Sequence, residues 1–175
     1  VSEAGFGKQF QAETDAAYRT AQETGDPYQL ALLANALLAQ NDPRGGEALR
    51  LLLKKQGEDG AWMGKSHSAL GGRGACLRIE TTALTALALM KAGSHDDLLH
   101  KAMKVLVGGK NEYGYGSTQS TVLALKALVE YAKGRSEAKD TDGNLIVQVD
   151  GKRVAKQGFS PKSSRTFEIG GLEKY

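Results

Sequence analysis

The sequence contains little cysteine and little proline. Among its 175 residues there are one cysteine, Cys76, and three prolines. A single cysteine excludes a disulfide within the chain and any metal site built from several thiolates. Glycine, by contrast, occurs 22 times, and this combination favours many helix ends and tight turns.

The sequence also lacks a strong charge imbalance and a long apolar run. The net charge is only +3, and lysine and arginine are dispersed along the chain, which leaves no electrostatic footprint for nucleic acid. No segment approaches the roughly 20 apolar residues of a membrane span, so we expect no direct membrane insertion by this segment. The composition is that of a soluble globular protein. Because the chain starts at Val1 rather than methionine, we expect it to be a piece of a longer protein.

Three segments are apolar on almost every face and predict enclosed helices at about 27–40, 77–91 and 117–132. Amphipathic helices are predicted between them, at 46–56 and 95–107, with Ser94 capping the latter. A more modest helix is predicted at 11–23. The three apolar segments also match one another position by position, which indicates a helix-pair repeat. The predicted fold is therefore mainly α, an α/α array closed as a toroid or open as a solenoid.

The helical pattern ends at Gly134, after which the hydrophobic period changes to two. We predict three regions: residues 1–134 as the α/α part, 135–143 as a charged linker, and 144–175 as the first strands of a β-sandwich. Residues 144–175 are too few to form a core of their own.

The β region begins with a predicted hairpin. Asp150-Gly151 is a strong hairpin-turn signal, which would place Val149 opposite Lys152 and Val147 opposite Val154. A third strand is predicted at 166–169.

A glycine-rich turn and a group of polar side chains open the last apolar helix. The residues concerned are Gly114, Tyr115, Ser117, Thr118 and Gln119. Either Ser117 or Thr118 can accept hydrogen bonds from the free backbone amides at the helix start. Glu80 and Gln119 occupy matching positions in two repeats, followed at the same spacing by Thr82 and Thr121. Two interpretations of Glu80 and Gln119 remain open. Their polar groups line a central cavity, or their side chains cap their own helices, which is the interpretation that we favour.

A Gln-x-x-x-Gly-x-Trp pattern runs from Gln56 through Gly60 to Trp62. Physically it ties an amphipathic helix to the following turn, since the indole supplies a large apolar area and one hydrogen-bond donor. The pattern resembles the repeated motif of the terpenoid cyclases, another α/α toroid family.

The Gly-Tyr-Gly-Ser-Thr-Gln-Ser-Thr run from Gly114, the apolar helix after it and the Asn144–Val149 strand together resemble the thioester-containing domain of the alpha-2-macroglobulin and complement superfamily. Gly60-Ala61-Trp62 and Ile79-Glu80-Thr81-Thr82 resemble the bacterial members. The resemblance implies a closed α/α toroid of which this chain supplies roughly the second half, followed by a β-sandwich. Half a toroid would leave apolar faces of all three enclosed helices uncovered.

The resemblance implies a role as part of a broad-spectrum protease inhibitor that traps proteases. It also implies that the parent protein is extracellular or periplasmic. The expected partners are the other domains of the parent chain and, through them, the target proteases. The family's thioester forms in a Cys-x-x-Gln motif, whereas Cys76 is followed by Leu77, Arg78 and Ile79. We therefore predict a scaffold that shields the thioester, with no catalytic, cofactor-binding or metal-binding residue and no enzyme activity.

Two alternatives remain open. A macroglobulin relative without a thioester would use the toroid as a protein-binding or spacing module, and the residues that decide this lie upstream. A terpenoid cyclase-like enzyme would need an Asp-rich catalytic segment, which the sequence lacks, and would not continue into the hairpin after Asn144.

Overall fold

The computed structural model describes residues 7–110, 112, 114–136, 142–149 and 152–160. Within these residues the helices are α1 (Gln11–Thr24), α2 (Pro27–Ala39), α3 (Arg44–Leu53), α4 (Gly74–Ala92), α5 (Asp96–Gly108) and α6 (Thr118–Ser136), with a short 3₁₀ helix at Gly7–Phe10. The strands are β1 (Gly143–Val149) and β2 (Lys152–Phe159). The prediction of a mainly α fold followed by antiparallel strands is confirmed. The chain divides into two compact units, residues 1–132 and 133–175.

Helix α4 forms the centre of the first unit. Every residue from 79 to 89 is buried, as an apolar pattern without a polar face predicts. Two of its buried threonines bond within the helix, because the Thr81 hydroxyl donates to the Leu77 carbonyl at 2.7 Å and the Thr85 hydroxyl donates to that of Thr81 at 2.8 Å. The hydroxyls of Thr81 and Thr85 are thus satisfied by the backbone of their own helix.

Helix α2 packs against α4. It begins where the sequence predicts, since the Asp26 side chain accepts a hydrogen bond from the Tyr28 amide at 3.0 Å and Pro27 occupies the first position. Across the interface, the Asn35 side-chain amide donates to the Leu84 carbonyl at 2.8 Å. A carbonyl of one apolar helix is therefore bound directly by the other.

The amphipathic helices pack as predicted, α3 against α2 and α5 against α4. The prediction that Ser94 caps α5 is wrong. The helix begins at Asp96, and the residue before it, His95, has a left-handed backbone with φ of 64°. The Ser94 hydroxyl lies 2.8 Å from Nδ1 of that histidine, so the two side chains bind each other and no side chain caps the helix.

Helix α6 differs from its predicted environment. Ala124 and Ala127 are buried on one side, but Val122, Leu125 and Val129 on the other are 54%, 51% and 50% exposed. The prediction that α6 is enclosed is therefore wrong for this chain, because its neighbours among the described residues cover only one side. The expectation of uncovered apolar faces holds for α6 but not for α4, whose residues 79–89 are all buried.

The second unit contains an antiparallel pair of β1 and β2. Val149 lies opposite Lys152, as predicted, but Val147 lies opposite Ala155. The predicted pairing of Val147 with Val154 is wrong because the register shifts there, consistent with a bulge that leaves Val154 as the extra residue. The predicted turn at 150–151 and the predicted strand at 166–169 lie outside the described residues.

Candidate functional site at the start of helix α6

Helix α6 begins with a side-chain cap. The Ser117 hydroxyl oxygen accepts a hydrogen bond from the Ser120 amide at 3.0 Å, and the Thr121 hydroxyl donates to the Ser117 carbonyl at 2.9 Å. Ser117 is therefore the capping residue among the two hydroxyl candidates. Thr118 is exposed and Gln119 half-buried, and neither makes a side-chain hydrogen bond within the part of the chain that the structure describes.

Glu80 of α4 reaches this capped turn. Its side chain is fully buried, and Oε1 accepts from the Ser120 hydroxyl at 3.1 Å and from the Ser117 hydroxyl at 3.4 Å. The two serine oxygens lie 2.6 Å apart. The interpretation that Glu80 caps its own helix is wrong, since α4 begins at Gly74 and Glu80 binds the first turn of a different helix. A carboxylate at that place also complements the positive end of the α6 dipole.

The second carboxylate oxygen of Glu80 has no such partner. Oε2 is buried and makes no hydrogen bond to any described residue. Buried polar atoms are almost always paired, and among the side chains that the structure describes this oxygen is the exception. Among the described residues, the hydrogen bonds between Glu80 and α6 are therefore made by Oε1 and not by Oε2.

The loop before α4 closes over the same carboxylate. Ser68 is buried, and its hydroxyl accepts from the Gly72 amide at 2.9 Å. A methyl group at position 72 would lie 2.7 Å from Glu80 Oε1 and 2.8 Å from Ser68 Oγ, so a side chain there would have to displace these two polar groups. Glu80, Ser117, Ser120, Ser68 and Gly72 together are termed the Glu80 cluster below.

The glycine-rich turn before α6 lies against Cys76. Gly114 and Gly116 have φ of 88° and 91°, a backbone region that favours glycine. A Cβ at Gly116 would lie 2.9 Å from Cys76 Sγ. Between the glycines, Tyr115 is buried, and this burial raises the pKa of its hydroxyl above the ordinary 10.0. The sequence gives no sign of the contact between Gly116 and the thiol, because it depends on how α4 and the turn meet.

The residues of the tryptophan pattern form a second joint. The Trp62 indole is fully buried and donates to the Leu52 carbonyl at 2.9 Å, while its backbone amide donates to the Thr82 hydroxyl at 3.1 Å. The Gln56 side chain donates to the Gly60 carbonyl at 3.0 Å. Thr82 thus belongs to the joint between α3 and α4, and not to the Glu80 cluster.

The remaining chemistry-bearing side chains are scattered. His67, His95 and His100 each place a ring nitrogen near a different neighbour: the Ser68 carbonyl, the Ser94 hydroxyl and the Tyr131 hydroxyl. Among the described residues, no group of three or more histidine, cysteine or acidic side chains could hold a metal ion. Nor does any described helix have the length and apolar character needed to cross a membrane.

Comparison with known proteins places these features in a family. The family model described as the A-macroglobulin TED domain matches residues 9–131, which run from the start of the helical unit into α6. Complement C3 of Oncorhynchus mykiss is 33% identical over 106 residues, which cover 55% of this chain and 6% of that protein. The chain thus spans a small fraction of the length of this relative. The match over most of the helical unit shows that the chain belongs to the A-macroglobulin TED domain family.

Proposed function

We propose that this chain is scaffold within the thioester-containing domain of a macroglobulin-like protease trap, and that it shields a thioester formed elsewhere in the parent protein. The family match over residues 9–131 carries this proposal. In such a trap, a protease cuts a bait segment, the protein rearranges, and the released thioester acylates the attacker. The parent would act outside the cell or in the periplasm.

The chain's own residues support a scaffold role. Cys76 is its only cysteine, and Ile79 rather than glutamine stands three positions after it, so the thioester would come from another part of the parent. The Glu80 cluster fixes α6 against α4 through the Ser120 hydroxyl at 3.1 Å. A rigid contact of this kind is what a shield needs, because water must be kept from an activated acyl group until the rearrangement.

The proposal also names partners. The exposed apolar side chains of α6, Val122, Leu125 and Val129, would be covered by other domains of the parent chain. Proteases would be bound by the assembled trap rather than by this chain, to which we assign no catalytic step.

The deciding experiment uses the full-length parent protein. Free thiols are titrated before and after treatment with methylamine under non-reducing conditions, in the natural protein and in a Cys76→Ser variant that removes the local background. We expect one additional thiol in both proteins after treatment, together with one methylamine adduct. If neither a thiol nor an adduct appears, the parent carries no thioester, and the toroid would then serve as a protein-binding or spacing module.

The shielding role has its own test in the same protein. A Leu125→Glu variant places a charge on the exposed face of α6, and we expect the thioester to hydrolyse faster without any protease, seen as earlier loss of the methylamine-releasable thiol. Lys104→Glu on the exposed side of α5 is the control and should leave the rate unchanged. Equal rates in all three proteins would contradict shielding by α6.

A further inference from the structure

An open apolar groove lies between α3 and the start of α5. Its volume is about 740 Å³. Its apolar lining is formed by Leu38, Leu49, Leu53, Ala92 and Leu98. These side chains come from two helix pairs, so the groove follows the boundary between neighbouring repeats. A concave, mainly apolar surface with a few polar groups at its edge is the usual form of a binding site.

The α3 side of the groove carries positive charge. Arg50 and Lys54 line it, both are exposed, and neither has an ion-pair partner among the described residues. Two other arginines do, since Arg44 is paired with Asp42 at 2.6 Å and Arg78 with Asp59 at 2.6 Å. Two unpaired cations beside an apolar floor fit a ligand that brings carboxylates next to an apolar face.

The α5 side of the groove has a different character. Ser94 and His95 line it, and the histidine has a left-handed backbone with φ of 64°, a conformation that is costly for most residues and is concentrated at functional sites. Asp96 and Asp97 follow immediately and line the adjoining shallow depression. Their charge repels acidic groups at this end, so the acidic edge of a bound ligand must run along α3.

One position in α3 keeps the groove open. Gly46 lines it, and a methyl group added at this glycine would meet no atom within 4 Å. The neighbouring glycine is different, since a methyl group at Gly45 would lie 3.0 Å from the Leu38 amide nitrogen. Gly45 therefore serves the packing of α3 on α2, whereas the space at Gly46 is left to the groove.

We propose that this groove binds an acidic amphipathic helix of a partner protein. The partner would place leucine-like side chains against Leu38, Leu53 and Leu98 and align glutamate or aspartate side chains with Arg50 and Lys54. Laying the apolar face of a helix into a groove between helices is a recurring mode of recognition. The acidic residues at the start of α5 fix the direction in which the charged edge lies.

The test uses this 175-residue chain and a synthetic fluorescent peptide of about 15 residues, a length at which helix formation becomes feasible. The peptide carries leucines on one helical face and glutamates along one flank, and a matched peptide carries lysines in place of the glutamates. Binding is measured by fluorescence anisotropy, and the contact surface is mapped by leucine and valine methyl shifts in NMR spectra. We expect the acidic peptide to bind and the basic peptide to bind at least about tenfold more weakly.

Two variants probe the groove directly. Arg50→Glu together with Lys54→Glu should weaken binding about tenfold or more, whereas the same charge change at Lys101 and Lys104, which are exposed on α5, should leave it within about twofold. Gly46→Leu should also weaken binding by filling the groove, without disturbing the helix.

Three results would overturn the proposal. The first is an acidic peptide that does not bind. The second is equal weakening by the two charge-reversal pairs, which would indicate attraction to net charge alone. The third is a set of methyl shifts at Val122, Leu125 and Val129 instead of Leu38, Leu53 and Leu98, which would place the peptide on α6.

Discussion

The Ser120 hydroxyl donates a 3.1 Å hydrogen bond to Glu80 Oε1, and both side chains are completely buried. This contact joins the first turn of α6 to the middle of α4. Because the two residues are far apart in sequence, the bond can form only after both helices have packed. The Glu80 cluster is therefore intact only when α6 is packed in its native position against α4.

We expect Glu80→Ala to lower the free energy of unfolding by about 3 kcal/mol, since it leaves a cavity and removes the acceptor of the buried Ser120 hydroxyl and of the half-buried Ser117 hydroxyl. Glu80→Gln should cost about 1 kcal/mol or less, because the amide oxygen can still accept from Ser117 and Ser120. Urea unfolding followed by far-UV circular dichroism measures both values. If Gln costs as much as Ala, the negative charge and not the acceptor position is what α6 requires.

The indole nitrogen of Trp62 gives a second prediction. Trp62→Phe should cost about 1 kcal/mol, because the buried Leu52 carbonyl loses the indole donor but keeps the Lys55 amide at 2.9 Å, and most of the apolar packing remains. Gln56→Ala should also cost about 1 kcal/mol, since the carbonyl of the buried Gly60 loses the Gln56 side chain as its donor. The same urea experiment compares them. A phenylalanine variant as stable as the natural chain would show that the indole acts by volume alone.

The glycine pair at the start of α3 offers a matched comparison. Gly45→Ala should destabilise the chain by about 1–2 kcal/mol, because the new methyl group would press on the backbone of Leu38. Gly46→Ala should stabilise it by about 0.5–1 kcal/mol, since the methyl group meets nothing and alanine favours the helix. Thermal unfolding should order the variants accordingly, and equal effects at the two positions would contradict the close approach of α3 to α2.

Much of the helical unit follows from local sequence signals. The apolar run through Leu84 predicts a buried helix because no face of it is polar. Asp26-Pro27 predicts the start of α2 because the aspartate accepts from a free backbone amide and the proline has no amide hydrogen that needs a partner. Ser117 is likewise recognisable as a cap from its place before an apolar helix. These signals act within a few residues of one another.

The parts that the sequence could not predict depend on distant segments. The pairing of Glu80 with Ser120 requires the packing of two helices, and the exposure of Val122 depends on which neighbours α6 has. The extra residue at Val154 could not be predicted either, because a period-two pattern fixes the face of each side chain but does not encode a bulge. The groove beside Gly46 is in the same class, since it arises between two helix pairs.

Lowering the pH should remove the stability that the ion pairs of Arg44 contribute. Its guanidinium binds Asp15 at 2.7 Å and Asp42 at 2.6 Å, and these hydrogen bonds hold the pKa of both carboxyls below the ordinary 3.8. A carboxyl with a lowered folded-state pKa stabilises the protein above its unfolded pKa and loses that contribution as the pH falls through the folded value. The contribution is therefore present above about pH 4 and disappears below it.

We expect Arg44→Gln to flatten this acid dependence. The urea midpoint of the natural chain should fall more steeply between about pH 4.5 and 2.5 than that of the variant. The difference should be small and should shrink with added salt, because all three side chains are partly exposed and screened. Parallel pH profiles for the two proteins would show that these pairs add no net stability to the folded chain.

The exposed face of α6 predicts how the isolated chain behaves in solution. Val122, Leu125 and Val129 lie on one side of the helix, each about half exposed, and such contiguous apolar surface associates or binds hydrophobic dyes. We expect the chain to self-associate or to enhance the fluorescence of a hydrophobic dye. Replacing all three residues by glutamine should weaken both effects while changing the free energy of unfolding by no more than about 0.5 kcal/mol per site.

A single substitution elsewhere distinguishes the effect of the α6 face from that of exposed apolar side chains in general. Leu70 is 76% exposed in the loop before α4, so Leu70→Gln removes exposed apolar area without touching α6 and should leave the dye signal and the association unchanged. If the natural chain is monomeric and does not enhance the dye fluorescence, the apolar face of α6 is stable in water. That result would contradict its proposed burial by the rest of a toroid. If the triple variant alone is monomeric, the surface that other domains would cover is α6, because the only change is the loss of three apolar side chains on one face of one helix.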